Sequence, residues 1–120
     1  MTTDLMIDAV TTVDRSGVRV VPDASGYDSV SDGWVEAEYR AVELADDSLG
    51  GLWEGEPGRV SFESWPYTEF CVMISGRVAV IDAAGGRREF GAGEAFVVPR
   101  GFRGTWETVE PSVKYFVAMR

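Results

Sequence analysis

The chain has 120 residues, of which 45% are hydrophobic and 26% are charged, and its formal net charge is -9. This composition is typical of one globular domain with a single hydrophobic core. The chain contains no histidine, which excludes Ser-His-Asp and Cys-His catalytic arrangements and metal sites built on imidazole. An acidic chain without clustered Lys or Arg also makes nucleic acid a poor candidate partner.

The charge is unevenly distributed. Residues 1–56 carry 13 acidic residues and 3 arginines, whereas residues 57–120 are nearly balanced. A solvated acidic surface explains this pattern, and a basic partner or a cationic ligand is the other explanation.

The sequence also indicates where the protein is located. No apolar run approaches the roughly 18 residues of a membrane-spanning helix, and the N-terminus lacks the pattern of a signal peptide. The single cysteine, Cys71, cannot form an intrachain disulfide, which fits a reducing compartment. We therefore expect a cytoplasmic protein with no membrane partner.

Turn-forming Gly and Pro residues recur at roughly 8–12-residue intervals, which is typical of a β-sandwich or barrel. The intervening segments are rich in Val, Phe, Tyr, Trp and Ile, which favour strands. The only helical candidate is residues 1–13, where β-branched Thr11, Thr12 and Val13 argue against continuation. In chain order, these patterns predict strands at about 18–21, 34–44, 59–64, 69–75, 77–82, 87–90, 94–98, 103–109 and 112–119.

These elements predict one all-β domain over residues 1–120. Its core spans about 34–119, and residues 1–33 form an N-terminal extension or edge strands. The strand at 94–98 shows little alternation of apolar and polar residues, so we expect both of its faces to be covered.

Two spaced motifs point to a known superfamily. Glu69 precedes Gly76 with six residues between them, and Gly93, Pro99 and Gly101 form a Gly-x5-Pro-x-Gly pattern. This pair of motifs resembles the two motifs of the cupins. Residues 50–118 further resemble small cupins of the (S)-ureidoglycine aminohydrolase and ethanolamine-utilisation type, through Gly51-Leu52-Trp53-Glu54, Pro57-Gly58, Glu69-Phe70-Cys71, Ser75-Gly76-Arg77-Val78, Gly91-Ala92-Gly93-Glu94, Val98-Pro99-Arg100-Gly101-Phe102, Gly104-Thr105-Trp106-Glu107 and Lys114-Tyr115.

The resemblance implies a double-stranded β-helix, that is, a jelly-roll barrel. It also implies a homodimer with a small-molecule pocket in the mouth of each barrel. The N-terminal segments of such cupins often exchange between partner barrels, and residues 1–33 could do the same.

The resemblance also locates the missing metal ligands. Gly104 occupies the position of the third histidine, and Glu69 alone remains of the four usual ligands. One carboxylate cannot hold a transition metal, and a mixed site with Glu63 and Cys71 would be unusual. We therefore predict a protein without metal or other cofactor. The positions of the usual His-x-His pair are taken by Glu63 and Trp65, or by Phe62 and Ser64, depending on the gap.

Period-two geometry identifies the side chains that would face the barrel interior. If Glu69 points inward, Cys71 and Met73 share its face. Continued parity adds residues before Glu69 and on the later strand, namely Glu63, Trp65, Tyr67, Gly104, Trp106 and Thr108. The predicted pocket is aromatic with a few polar groups, as small-molecule sites usually are. Its expected ligand contacts are Glu63, Trp65, Cys71, Arg103, Trp106 and Thr108.

Glu69 is the candidate catalytic group, with Tyr67 assisting. An inward carboxylate among aromatic rings should have a raised pKa unless an arginine pairs with it, and it could then act as a general acid or base. A structural role, with Glu69 hydrogen-bonded to Tyr67 or to an arginine, is an equal alternative.

Other candidate residues also have structural interpretations. Trp53 and Trp106 could belong to the core, and Cys71 could be an inert buried thiol. Arg103, like Arg100, could bind an anionic substrate, although paired surface charges are commoner. Lys114, the sole lysine, is expected to be a solvated charge or a salt-bridge partner rather than a Schiff-base residue.

The sequence supports two main functions. The first is a metal-free cupin that binds a small organic molecule. The second is a metal-independent isomerase, cyclase or lyase that uses Glu69 as acid or base. Aminohydrolase activity on ureidoglycine is a third candidate by resemblance, but the loss of the metal ligands argues against it.

Overall fold

The computed structural model describes residues 4–120, and almost all of its regular structure is β-strand. Within this range no helix reaches the length and apolarity that a membrane span needs. The helical candidate at 1–13 does not form an α-helix in the described residues, where this segment has only a 3-10 turn at Ile7–Ala9; residues 1–3 lie outside the described part. The strands are β1 (Val18–Val20), β2 (Ser29–Val30), β3 (Glu36–Glu43), β4 (Leu49–Gly55), β5 (Gly58–Phe62), β6 (Thr68–Ser75), β7 (Arg77–Asp82), β8 (Arg87–Gly91), β9 (Ala95–Val98), β10 (Gly104–Thr108) and β11 (Ser112–Met119).

The strands form two antiparallel sheets, which confirms the predicted all-β jelly-roll barrel. One sheet has the order β1-β3-β4-β11-β6-β9, and the other has the order β2-β5-β10-β7-β8. The apolar side chains of both sheets meet in one main core, because each strand buries alternate residues. That core contains Trp53, Val60, Trp65, Cys71, Met73, Val78, Phe90, Val98, Trp106, Phe116 and Ala118.

The alternation predicted for β6 is confirmed. Cys71 and Met73 are 0% and 1% exposed, whereas Phe70 and Ile74 are each 40% exposed. Strand β11 alternates in the same way and buries every second residue from Ser112 to Ala118. The buried face of β11 therefore includes position 114, which carries the only lysine.

Two strands were not predicted from the sequence. Strand β2 has only two residues, and β4 contains three glycines that resemble a turn in the sequence. Gly51 is required in β4 by a close approach of β3, since a Cβ atom built there would lie 2.0 Å from the Tyr39 carbonyl oxygen. A glycine in the middle of the sheet thus marks a close approach of two backbones rather than a turn.

The prediction that the strand at 94–98 is covered on both faces is wrong. Strand β9 lies at the edge of its sheet and pairs only with β6. Val97 is 54% exposed while Val98 is 2% exposed. Because the outer residues of β9 are apolar, its sequence resembles that of a strand buried on both faces.

The N-terminal segment supplies strands to the edge of each sheet. Strand β1 pairs with β3, with Val18 opposite Arg40, and β2 pairs with β5, with Ser29 opposite Ser61. A 3-10 turn at Ala24–Gly26, capped by the Asp23 side chain, connects them. This connection crosses from one sheet to the other and places the segment against the space between them.

Candidate functional site

A cavity of about 420 Å³ lies between the two sheets. The inner faces of β3, β4, β5, β6, β10 and β11 contribute to it, and the N-terminal segment from Val20 to Tyr27 forms one wall. Aromatic side chains dominate the lining. They are Tyr27, Trp34, Trp53, Phe62, Trp65, Tyr67, Trp106 and Phe116.

An ion pair lies in the wall of this cavity. The Lys114 Nζ atom is 2.6 Å from Glu69 Oε2 and 3.3 Å from Cys71 Sγ. The side chains of Lys114 and Glu69 are only 5% and 14% exposed. The ammonium also lies 4.1 Å from the ring centroid of Trp106 and 5.0 Å from that of Trp53. Lys114 is therefore enclosed by a carboxylate, a thiol and two indole rings.

The pKa of Glu69 is lowered, whereas the sequence predicted a raised pKa unless an arginine paired with the carboxylate. Burial opposes ionisation of this carboxyl, but the charge and hydrogen bond of Lys114, helped by hydrogen bonds from Cys71 and Trp65, hold the pKa of Glu69 below its ordinary value. The pairing cation is a lysine from β11 rather than the arginine that the sequence suggested. Glu69 is thus a carboxylate at neutral pH.

The partners of Glu69 keep their protons. Burial raises the pKa of the Cys71 thiol, and the neighbouring Lys114 offsets only part of that effect. Burial alone would lower the pKa of Lys114, but the adjacent Cys71 and Glu69 outweigh it and raise that pKa. The solvated alternative for Lys114 is wrong, and the salt-bridge alternative is the one observed.

A second buried carboxylate, Glu36 on β3, was not predicted from the sequence. It is 7% exposed and lines the same cavity. Its Oε2 atom accepts hydrogen bonds from the Tyr27 hydroxyl at 2.5 Å and from Trp34 Nε1 at 2.6 Å, and its Oε1 atom accepts one from Trp53 Nε1 at 2.9 Å. No residue pattern marks Glu36, because two of its three partners, Tyr27 and Trp53, lie on other segments of the chain.

The structure brings together four of the predicted site residues and separates the others. The four that line the cavity are Trp65, Tyr67, Glu69 and Trp106. Cys71 and Thr108 do not line it, since Cys71 lies behind the ion pair and Thr108 is buried, where it accepts a hydrogen bond from Trp106 Nε1 at 3.1 Å.

The predicted inward position of Glu63 is wrong, and Arg103, a predicted ligand contact, forms the paired surface charge that was its alternative. Their side chains are 69% and 65% exposed and form a surface ion pair at 3.3 Å. Strand β5 ends at Phe62 and β6 begins at Thr68, so residues 63–67 lie outside both strands. The two-residue alternation extrapolated back from Glu69 therefore does not reach Glu63. Trp65 still faces inward because its backbone forms hydrogen bonds with the 101–102 loop.

The family of the chain is shown by its sequence. Residues 43–116 match the family model described as the EutQ-like cupin domain. The chain belongs to this family. The resemblance to small cupins predicted from the two motifs is thereby confirmed. No curated protein matches the sequence.

Solved structures of other EutQ-like and related cupins share the fold. The EutQ protein of Clostridium difficile superposes with a TM-score of 0.68 at 16% identity, covering 97% of this chain and 85% of that one. A putative ethanolamine utilization protein Q from Salmonella typhimurium gives a TM-score of 0.64 at 17% identity, with 92% of each chain covered. A DUF861 family protein from Thermotoga maritima gives 0.54 at 24% identity, covering 58% of this chain and 78% of that one.

The metal site of the metal-binding cupins does not fit this EutQ-like cupin domain. Glu69 is the one side chain left at a metal-ligand position, and its carboxylate already accepts a hydrogen bond from the Lys114 ammonium. A Cβ atom at Gly104 would lie 2.1 Å from the Ile81 carbonyl oxygen and 2.6 Å from the Phe102 ring, so no side chain fits there. Across residues 4–120, no three Cys, Asp or Glu side chains are placed to hold a metal ion together.

Replacing the lysine tests the role of the ion pair. In Lys114→Met, Glu69 becomes a buried carboxylate without a counter-ion, so we expect the free energy of unfolding at pH 7 to fall by about 3–5 kcal/mol. The pKa of Glu69 is lower in the folded wild type than in the unfolded chain. The ion pair therefore stabilises the wild-type fold at pH values above the unfolded-state pKa of Glu69, and this contribution is lost as the pH falls through the folded-state pKa. In the variant, the folded state instead favours the protonated form of Glu69, so the free energy of unfolding of the variant rises as the pH falls. The stability difference should therefore narrow between about pH 7 and pH 4 in urea denaturation.

The double variant Glu69→Gln/Lys114→Met is the control, since it removes both charges and keeps the approximate volume. It should recover most of the loss seen in Lys114→Met. A single variant as stable as wild type at pH 7 would contradict a stabilising role for the pair.

Proposed function

We propose that this EutQ-like cupin domain binds a small organic molecule in the cavity between its sheets, without a metal or other cofactor. The observation that carries the proposal is the cavity itself, which has a volume of about 420 Å³ and is lined by eight aromatic side chains. Apolar pockets of a few hundred cubic ångströms with a few polar groups are typical small-molecule sites.

The chemistry of the charged groups favours binding over catalysis. The Lys114 ammonium already donates hydrogen bonds to Glu69 and Cys71 and lies against the ring of Trp106, so its close contacts are made with the protein. The raised pKa values of Cys71 and Lys114 keep both groups protonated, so neither is a ready nucleophile. The independence from metal is supported by the lysine beside Glu69 and by the lack of space at Gly104.

One observation favours an alternative, a metal-free isomerase, cyclase or lyase. The Glu69 Oε1 atom has only a long contact of 3.4 Å with Trp65 Nε1, and Tyr67 lines the same cavity. This oxygen could accept a proton from a bound substrate, and the nearby ammonium could stabilise the developing anion. Because its pKa is lowered, Glu69 would begin such a reaction as the base.

Purification without chelators tests the proposal directly. We expect native mass spectrometry to detect a retained small molecule that is released unaltered on denaturation, and metal analysis to find transition metal far below one ion per chain. Ala118→Leu should abolish retention because residue 118 lines the cavity, whereas Ala95→Leu on the exposed side of β9 should not. A stoichiometric transition metal would overturn the metal-free proposal, and equal retention by both variants would overturn the location.

The catalytic alternative makes a different prediction. With a substrate found by screening, Glu69→Gln should lower kcat by about 100-fold or more if Glu69 removes a proton. Tyr67→Phe, which removes one hydroxyl and keeps the ring, should lower kcat less and leave the melting temperature unchanged. Wild-type turnover in Glu69→Gln would exclude Glu69 from the mechanism.

We also propose a homodimer formed through the outer face of the six-stranded sheet. Apolar side chains on this face are 40–54% exposed, and cross-strand pairing makes them contiguous, with Val117 opposite Phe70 and Phe70 opposite Val97. Such a surface is complementary to a second copy of itself because it carries no charge to be left unpaired. Its members are Phe70, Ile74, Val97, Tyr115, Val117 and Met119.

Val117→Glu tests the dimer because it places a charge in the centre of this face. We expect the variant to elute as a monomer in size-exclusion chromatography with light scattering, while Val18→Glu, on the exposed edge strand β1, behaves as wild type.

Removing residues 1–15 tests the N-terminal segment, in which Leu5 and Ile7 are 86% and 85% exposed. An undiminished dimer after this deletion would argue against exchange of the segment, and a dimeric Val117→Glu would contradict the proposed face.

A further inference from the structure

We propose that the cavity selects organic cations of the alkylammonium class. This inference rests on the proposed function, since it requires that the cavity holds a small molecule at all. It is carried by the charges and aromatic rings that line the cavity, taken together with the position of Lys114.

The cavity lining contains more negative than positive charge. Among residues 4–120, four carboxylates line it, and only two cationic side chains do. Glu69 pairs with Lys114 at 2.6 Å, and Glu38 pairs with Arg40 at 2.7 Å. In the described part of the chain, the other two lining carboxylates, Asp23 and Glu36, have no cationic side chain within 4.0 Å.

Glu36 is the buried member of this unpaired set. All three of its hydrogen-bond donors are neutral, and each belongs to an aromatic side chain, namely Tyr27, Trp34 or Trp53. A neutral or anionic ligand that displaced water from the cavity would leave the Glu36 charge without compensation, which costs free energy in a dry site. A cationic ligand would supply the missing charge.

The rings beside Glu36 suit the same class of ligand. Tyr27 lies edge-on to Trp34 and to Phe62, with ring centroids 6.2 Å and 5.2 Å apart, and all three rings line the cavity. Aromatic faces attract cations electrostatically, and the attraction is larger when water is excluded. A carboxylate surrounded by rings therefore favours an alkylammonium over an uncharged molecule of the same shape.

Lys114 shows that this arrangement accommodates an ammonium in the same cavity. Its Nζ atom lies between the Glu69 carboxylate and the ring of Trp106, 4.1 Å from the ring centroid. Trp53 links Glu36 to Lys114, since its Nε1 donates to Glu36 while its ring lies 5.0 Å from Lys114 Nζ. The protein itself thus fills the cation position at Glu69, and the position at Glu36 is left for a ligand.

Matched isosteres test the sign of the ligand charge. The probes are choline and its neutral carbon isostere 3,3-dimethylbutan-1-ol, phenyltrimethylammonium and its isostere tert-butylbenzene, and the anion 3,3-dimethylbutanoate. We expect titration calorimetry and tryptophan fluorescence to show each cation binding about tenfold or more tightly than its isostere, with the anion weakest.

The outcomes separate charge selectivity from ligand binding as such. Equal affinity for cation and isostere, or tighter binding of the anion, would overturn charge selectivity and leave the proposed function standing. Failure of every probe, together with failure of a neutral fragment library to bind the cavity, would overturn both proposals.

Substitution of Glu36 tests the site. Glu36→Gln should weaken choline binding about tenfold and leave 3,3-dimethylbutan-1-ol unaffected, because only the cation feels the lost charge. Glu110→Gln makes the same charge change at an exposed position outside the cavity and should alter neither affinity. Equal losses for choline and its isostere would overturn the role of Glu36.

A second variant covers the case in which Glu36→Gln fails to fold, since that change disturbs three hydrogen bonds. Asp23 is exposed and lines the cavity, so Asp23→Asn is expected to fold normally. It should weaken choline binding about threefold at low ionic strength, and the loss should disappear in about 1 M salt because exposed charges are screened. A loss that persists at high salt, or no loss at low salt, would contradict electrostatic selection of the ligand.

Discussion

The ammonium of Lys114, held between the Glu69 carboxylate and the ring of Trp106, determines what the interior of this barrel can do. Charged groups are tolerated in a core only when they are paired and hydrogen-bonded. Here the lysine offsets the charge of the one carboxylate that remains from the cupin metal site, and the indole rings stabilise it further. The pair fixes β6 and β11 to each other from the inside and keeps Glu69 ionised.

The same interaction argues against two kinds of chemistry. A metal ion at Glu69 would compete with a cation that the protein already supplies, and Gly104 offers no space for a further ligand. A nucleophilic role for Cys71 or Lys114 would require each to lose a proton, which their raised pKa values oppose at neutral pH. The remaining features are a cavity, its aromatic walls and an excess of carboxylates, and these are the features on which the proposal of ligand binding rests.

The parts of the site that could be predicted are those set by local periodicity. Once Glu69 was taken to point inward, alternation gave the inward direction of Cys71 and Met73 on the same strand, and it gave that of Trp106 on β10. The prediction for Glu63 failed because this residue lies between β5 and β6, where the alternation of β6 no longer applies. The prediction for β9 failed because an edge strand with an apolar outer face has the same composition as a buried strand. Glu36 had no signal at all, since a carboxylate in a strand usually faces water.

The all-β class follows from the sequence alone, because turn residues and two-residue alternation are local properties of the chain. The spaced motifs are local as well, and the jelly-roll barrel is what their resemblance to the cupins implied. The meeting of charges inside the barrel is different, since it depends on tertiary structure. Lys114 and Glu69 are 45 residues apart, and Glu36 and Trp53 are 17 apart, so their contacts require the register of strands that pair across the sheet. Register is a property of the folded sheet, and it places a lone lysine and an acidic segment in the walls of one pocket.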